Sequence, residues 1–397
     1  MTECLPATAA PDRLLTPTMV RLLAAVFGAA ISFYLLLSVV PLYVASTGSG
    51  SAGAGLAMGA LMLGTVLTEL TVPAMLARFG YRTVLSLGLI LLGAPAAVLA
   101  TSSNLVLILV VCLFRGAGLA IIVVAGTALV AKLVPARRRA EGLAVYGVAF
   151  GAPGVIGLAL GVSLTSWVGF DPIFLAATVT SLAALILVPG LPSRRDHPEP
   201  PVPVLRGLTR SGLLPPALVF TSITIAVGVV LTFLPLAVSE DRRELASAAL
   251  LVQATAVLAA RWLAGRFGDR FGSERLLVPS VALAAVGMLA LVAVGNPFAV
   301  IGGMLLFGIG FGSAQNVTLA MMYDRVAEAE YARVSAIWNL AYDGGMGIGA
   351  VTFGAIVGAT GYSTAFGLTV VVLIVAFIPA WSERHPRPIE LDTVRPD

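Results

Sequence analysis

The chain is 397 residues long, 58% apolar and 11% charged, with a formal net charge of +4. Soluble proteins are roughly 45–50% apolar and about 25% charged, so this composition excludes an ordinary soluble fold and implies a membrane protein. Two cysteines, Cys4 and Cys112, leave no disulfide framework.

Residues 1–17 read as a leading tail. About 20 apolar residues suffice to cross about 30 Å of hydrocarbon. Six such runs follow, near 19–44, 53–76, 83–101, 105–132, 141–164 and 172–190, forming a first bundle over 18–190. Six more lie near 214–238, 246–266, 275–295, 298–322, 334–358 and 363–381, forming a second bundle over 214–381. The first run is too long for a signal-peptide core of about 7–15 residues and is read as a retained span. Prolines and charges over 191–213 deny helix and keep the stretch in water, which marks a linker. Residues 382–397 read as a closing tail. With the N-terminus inside, 20 of the 24 basic residues fall on cytoplasmic segments, which sets the orientation.

Polar groups within the spans are few. Tyr34 stands in the first span, Glu69 in the second, and Arg115 in the fourth, about 16 Å from that span's outer end at 1.5 Å per residue. The fifth carries Tyr146 and the series Gly147, Gly151, Pro153 and Gly157, whose small residues permit close helix contact. Arg261 stands in the eighth span, Gln315 and Asn316 in the tenth, and Asn339 and Asp343 in the eleventh. An ionisable group at mid-membrane costs about 2.5–3.5 kcal/mol or more, so Glu69, Arg115, Arg261 and Asp343 need a reason to be there. Structural ties between helices are one reason; transport chemistry is the other.

The loop Gly265-Arg-Phe-Gly-Asp269-Arg270-Phe-Gly272-Ser-Glu-Arg275 has a degenerate copy 192 residues earlier, Pro73-Ala-Met-Leu-Ala77-Arg78-Phe-Gly80-Tyr-Arg82. The same offset puts Gly116 on Gly308, Gly118 on Gly310, Gly157 on Gly349 and Glu69 on Arg261. Six spans per half make this a parallel repeat. Gly-x-x-x-Asp-Arg-x-Gly followed by Arg, between two spans, resembles the signature loop of the major facilitator superfamily of transporters. Arg115-x-x-Gly118 resembles that family's fourth-helix motif. The glycine–proline cluster of span five is similar to the fifth-helix motif of its proton-exchanging exporters.

The resemblance implies an all-α membrane protein of twelve transmembrane helices in two pseudo-symmetric six-helix bundles, the major facilitator fold. It implies gating loops at Arg78, Gly80 and Arg82 and at Gly265, Asp269, Arg270, Gly272 and Arg275. Asp269 would sit at the positive N-terminal end of a neighbouring helix and hold one side shut. Latching would be asymmetric, since Pro73 and Ala77 replace the glycine and aspartate in the first loop. Spans 2 and 11 pack together in that fold, which would bring Glu69 and Asp343 to one depth. Two acids in low dielectric do not both ionise cheaply, which suits proton carriage. Spans 1, 4, 7 and 10 line its cavity, so Tyr34, Arg115, Gln315 and Asn316 become cavity candidates, with Asn339 beside them. Arg115 would face the cavity and touch substrate or the coupling acid.

No phosphate-cradling motif surrounds the one lysine, Lys132, so no ATP motor is expected. His197 and His385 lie in the soluble segments, and no metal, cofactor or enzymatic chemistry is expected. Short basic clusters match topology and do not point to nucleic acid. The expected function is proton-coupled export of a small organic or amphipathic compound by alternating access. The expected protein is a monomer in the inner (plasma) membrane with both termini cytoplasmic; its partners are the substrate, protons and the bilayer. Uptake of a nutrient or organic anion is the alternative, with Arg115 as the anion's partner. A non-transporting sensor or lipid-moving protein is a reading from another class.

Overall fold

In hydrocarbon every backbone polar group must be satisfied within the chain, so an apolar sequence of this kind builds long helices. The computed structural model describes residues 15–135, 138–193, 212–327 and 330–383, and among these only helices and their connections occur. Most of the expected tails and linker lies outside the described residues, as does the Asp269 side chain.

The first half comprises α1 (Pro17–Leu37, continued by Val39–Val44), α2 (Gly50–Glu69), α3 (Val72–Val98), α4 (Leu105–Leu133), α5 (Arg139–Val168) and α6 (Asp171–Ala183, prolonged by Ala184–Gly190). The second comprises α7 (Leu214–Ala237), α8 (Arg243–Phe271), α9 (Glu274–Ala290), α10 (Pro297–Tyr323), α11 (Tyr331–Thr360) and α12 (Tyr362–Val375, continued by Phe377–Ser382). These are twelve transmembrane helices in two bundles of six. Between α1 and α2 the chain turns at Gly48 and Gly50, with φ of 92° and 59°, values open to glycine and strained for other residues. Apolar side chains stay exposed on the outer faces, as at Val106, Val110 and Phe114 of α4 and Val371, Ile374 and Ile378 of α12. Hydrocarbon is the solvent that suits such faces.

The repeat holds at the level of single backbone contacts. Gly80 and Gly272 both take positive φ, 75° and 89°, and so do Gly169 and Gly361, at 76° each. Asn104 caps α4 and Asn296 caps α10, each accepting backbone N–H bonds of the first turn. A Cβ on Gly116 would overlap the Leu61 carbonyl of α2, and one on Gly308 would stand 2.7 Å from the Gln253 carbonyl of α8. Residues 61 and 253 are themselves 192 apart. Gly118 meets Gly88 and Leu92 of α3, just as Gly310 meets Ser280 and Ala284 of α9. Glycine therefore sets the depth to which α4 and α10 sink between their neighbours. Gly116→Ala is expected to destabilise the protein by about 1–3 kcal/mol, the usual effect of overpacking, read as a lower thermal midpoint in detergent.

One boundary differs from the pattern. The second span, expected over 53–76, ends at Glu69, and a new helical segment begins at Val72 and bends at Gly80. Pro73 fits the break: it has no N–H to donate and its ring clashes with the preceding turn, so it is accommodated in the first turn of the new segment. Its partner under the offset, Gly265, keeps its N–H, and α8 runs unbroken to Phe271.

Candidate functional site

The halves meet where α2 packs on α11 and α5 on α8. Away from the chain ends, on what we term the far side, this seam is sealed. Ser38 Oγ of α1 donates to the Leu231 carbonyl of α7 at 2.8 Å, and the Ser51 and Tyr362 hydroxyls are 3.2 Å apart. A Cβ on Gly55 would overlap the Ala350 carbonyl, and one on Gly354 would lie 2.8 Å from the Ser51 carbonyl. On the side where α1 begins and α12 ends, α5 has free space beside it. Gly147 and Gly151 of α5 have nothing within 4 Å of where a Cβ would stand. Among the described residues the ion pairs there, Arg138–Glu141, Arg333–Glu330 and Arg325–Glu383, each stay within one half.

Across the seam between the halves a group of ionisable residues converges. Glu69 is the last residue of α2, half-buried, and Asp343 is buried on α11. The two carboxyl groups lie within each other's electrostatic reach. Neither makes a hydrogen bond or ion pair with a described residue. Tyr34 of α1 feels both Asp343 and Arg261 of α8, and Tyr342, next to Asp343, feels Tyr34, Asp343 and Arg261. Five titratable side chains from α1, α2, α8 and α11 thus meet across the seam. An acid pair with no fixed partner among the described residues is free to take up and release a proton.

Aromatic rings wall this group. The Tyr34 ring lies 4.9 Å from Phe33 and 5.7 Å from Phe150 of α5. Tyr342 lies 5.9 Å from Phe220 of α7 and 6.1 Å from Phe311 of α10, and Trp338 stacks on Phe220 at 4.6 Å. Sequence reasoning missed Phe150, Trp338 and Tyr342. The available signal was the offset, which pairs Phe150 with Tyr342 at equivalent places in the two halves.

The other expected site residues are distributed differently. Gln315 is buried and its Oε1 has no partner among the described residues. Asn316 donates to the Arg261 carbonyl at 3.0 Å, tying α10 to α8 beside Gly265. Asn339 is half-buried on α11. Tyr146 is buried and donates to the Ile122 carbonyl at 2.8 Å. In the α5 series, Pro153 lies inside the helix and a Cβ on Gly157 would stand 3.1 Å from Tyr34, so packing accounts for that glycine. In the loops, Arg82 donates twice to the Leu191 carbonyl, at 2.9 and 3.2 Å, and Arg78 lies over Phe79 at 5.2 Å. Arg270 and Arg275 are exposed.

Arg115 requires a correction. Expected on the open cavity wall, it is 2% exposed and points between helices of its own bundle. Its guanidinium donates to the Leu92 carbonyl of α3 at 2.7 Å and to the Ser32 carbonyl of α1 at 3.1 Å. It borders a cavity of about 20 Å3, shared with Phe33, Met58 and Cys112, large enough for one water. Carbonyl oxygens rather than a carboxylate hold the charge. In the second half this position carries Phe307, fully buried, so the site is a core position in both bundles. Arg115→Ala is expected to lower stability by about 2–4 kcal/mol through the cavity it opens. Substrate affinity should change less than about threefold, since 1.4 kcal/mol is tenfold. A variant of full thermal stability that no longer binds substrate would return the guanidinium to the transport path.

Comparison with known proteins bears on this arrangement. The family described as Major Facilitator Superfamily matches residues 22–243 and 217–397. No curated protein matches the sequence. Among solved structures, the nucleoside transporter NupG is similar at a TM-score of 0.75 and 13% identity, over 92% of this chain and 99% of that one. A D-xylose-proton symporter is similar at 0.74 and 15%, over 91% and 97%. The inward-open xylose transporter XylE from E. coli is similar at 0.72 and 15%, over 92% and 96%.

Proposed function

From the premise that the chain belongs to the Major Facilitator Superfamily, we propose that it is a proton-coupled secondary transporter of a small organic compound. The observation that carries this reading is the Glu69–Asp343 pair, without a partner among the described residues, on the two helices that pack across the seam. The cycle is alternating access. The halves rock about the α2–α11 and α5–α8 seams, and the acid pair gains a proton on one side and loses it on the other. Tyr34, Gln315, Asn316 and Asn339 contribute polar groups to the passage. The loops at Arg78–Arg82 and Gly265–Arg275 act as gates when the terminal side closes. The side where α1 begins is cytoplasmic and the membrane is the inner (plasma) membrane, a placement supported by the 20 basic residues that the sequence pattern assigns to cytoplasmic segments.

Transport outward in exchange for protons is the direction favoured by the Gly147–Gly157 series of α5. Uptake of an organic anion together with protons is the second reading. It is favoured by the cation at Arg261, which stands on the inner surface while Arg115 does not. Proteoliposomes bearing an imposed pH gradient, tested with a panel of labelled compounds, decide among these readings. Exchange drives solute against the proton flow, co-transport drives it along. Flux that ignores the gradient overturns proton coupling in either direction.

A further inference from the structure

The 192-residue offset maps the acid pair onto a site of different chemistry. Glu69 corresponds to Arg261 of α8, and Asp343 corresponds to Gly151 of α5. Where α2 and α11 hold two carboxyls, α8 and α5 hold a guanidinium and a missing side chain. Gly151 and Gly147, one turn apart, leave open space on the inner surface. Arg261 is exposed, and its guanidinium makes no ion pair or hydrogen bond with any described residue. It points inward across the seam, since Tyr34 of the opposite half lies within its electrostatic reach. Tyr34 in turn packs on Gly154 of α5, at 2.9 Å from the place of a Cβ, so the guanidinium and this wall share one recess.

A guanidinium cannot shed its proton, and at membrane depth it calls for an anionic partner. Among the described residues no carboxylate forms an ion pair with it. Arginine's planar fork matches a carboxylate through two parallel N–H bonds. The rings of Tyr34, Phe150 and Tyr342 border the same space and suit an apolar or aromatic body.

We propose that Arg261, with the recess at Gly147 and Gly151, is an anion subsite, and that the transported compound is an organic carboxylate with an aromatic or amphipathic body. The assignment rests on the reading of the chain as a transporter, and holds for either direction of transport.

The purified full-length protein in detergent provides the test. Its thermal midpoint is followed with benzoate, salicylate, cinnamate and indole-acetate, each beside its neutral amide and the corresponding amine. At least one acid should stabilise the protein where its amide does not. Arg261→Gln should weaken that acid's apparent affinity about 10- to 100-fold, the range expected for a charge-assisted pair, and Arg261→Lys should weaken it less. The midpoints of both variants without ligand report whether they fold. Equal stabilisation by acid and amide across the panel overturns the proposal, as does an acid that binds Arg261→Gln as tightly as the parent. An amine or amide that is carried against its gradient, with no acid bound, ends the anion assignment and leaves the transporter standing. An acid that binds through Arg261 but never crosses a proteoliposome membrane supports the subsite and counts against transport.

Discussion

Asp343→Asn combined with Glu69→Gln is expected to abolish gradient-driven accumulation of substrate while leaving passive exchange between equal pools. Both replacements keep the shape of the side chain and remove its ability to ionise. A gradient of about two pH units stores about 2.7 kcal/mol per proton, enough for about 100-fold accumulation at one proton per substrate. Without a titrating group at the seam that ratio falls to about one. The fold should tolerate the change, because neither carboxyl makes a hydrogen bond or ion pair with a described residue. Removing an unpaired ionisable group from a low-dielectric site is neutral or stabilising. The single variants separate the members of the pair: whichever one abolishes accumulation alone is the obligatory carrier. Accumulation unchanged in the double variant would remove protons from the mechanism.

Gly55→Leu is expected to stop turnover by a different route. On the far side α2 and α11 touch backbone to backbone, with Gly55 against Ala350 and Gly354 against both Ser51 and Gly55. No side chain fits there in the sealed state. A leucine has to be accommodated by parting the helices, and overpacking of this kind costs about 1–3 kcal/mol. Two conformations of a protein commonly differ by only a few kcal/mol, so the penalty is enough to disfavour the sealed state. Each bundle's own core is untouched, and the thermal midpoint should fall by only a few degrees. Transport should drop by about 10- to 100-fold, following the lost population. A cysteine placed at Ser51 should become reactive toward a membrane-impermeant thiol reagent from the far side. Full transport in Gly55→Leu would show that the seam does not close at this level during the cycle.

Much of the architecture was legible in the chain because the bilayer allows few alternatives. Span lengths, the loop glycines and the 192-residue repeat all reflect local requirements. Gly80 and Gly272 both take positive φ, a conformation open to glycine. Pro73 is visible in the sequence, but span length alone hides its effect: α2 ends early and places Glu69 at a helix terminus. The site was harder to read. Arg115 and Arg261 look alike in sequence, each a lone arginine in an apolar span. One is buried against carbonyl oxygens and the other is exposed.

What the sequence determined alone is therefore the set of helices, their number and their kinship between halves. Hydrophobic length and backbone hydrogen bonding act within one segment, and the residues of that segment suffice to express them. The tertiary structure decided which face of each helix meets the seam, that Glu69 and Asp343 come within electrostatic reach, and that Phe150 packs on Tyr34 while Trp338 and Tyr342 pack on Phe220. Helix rotation and depth depend on how side chains of several helices interlock at once. A pattern read along one chain in nearly uniform apolar spans carries no record of that fit.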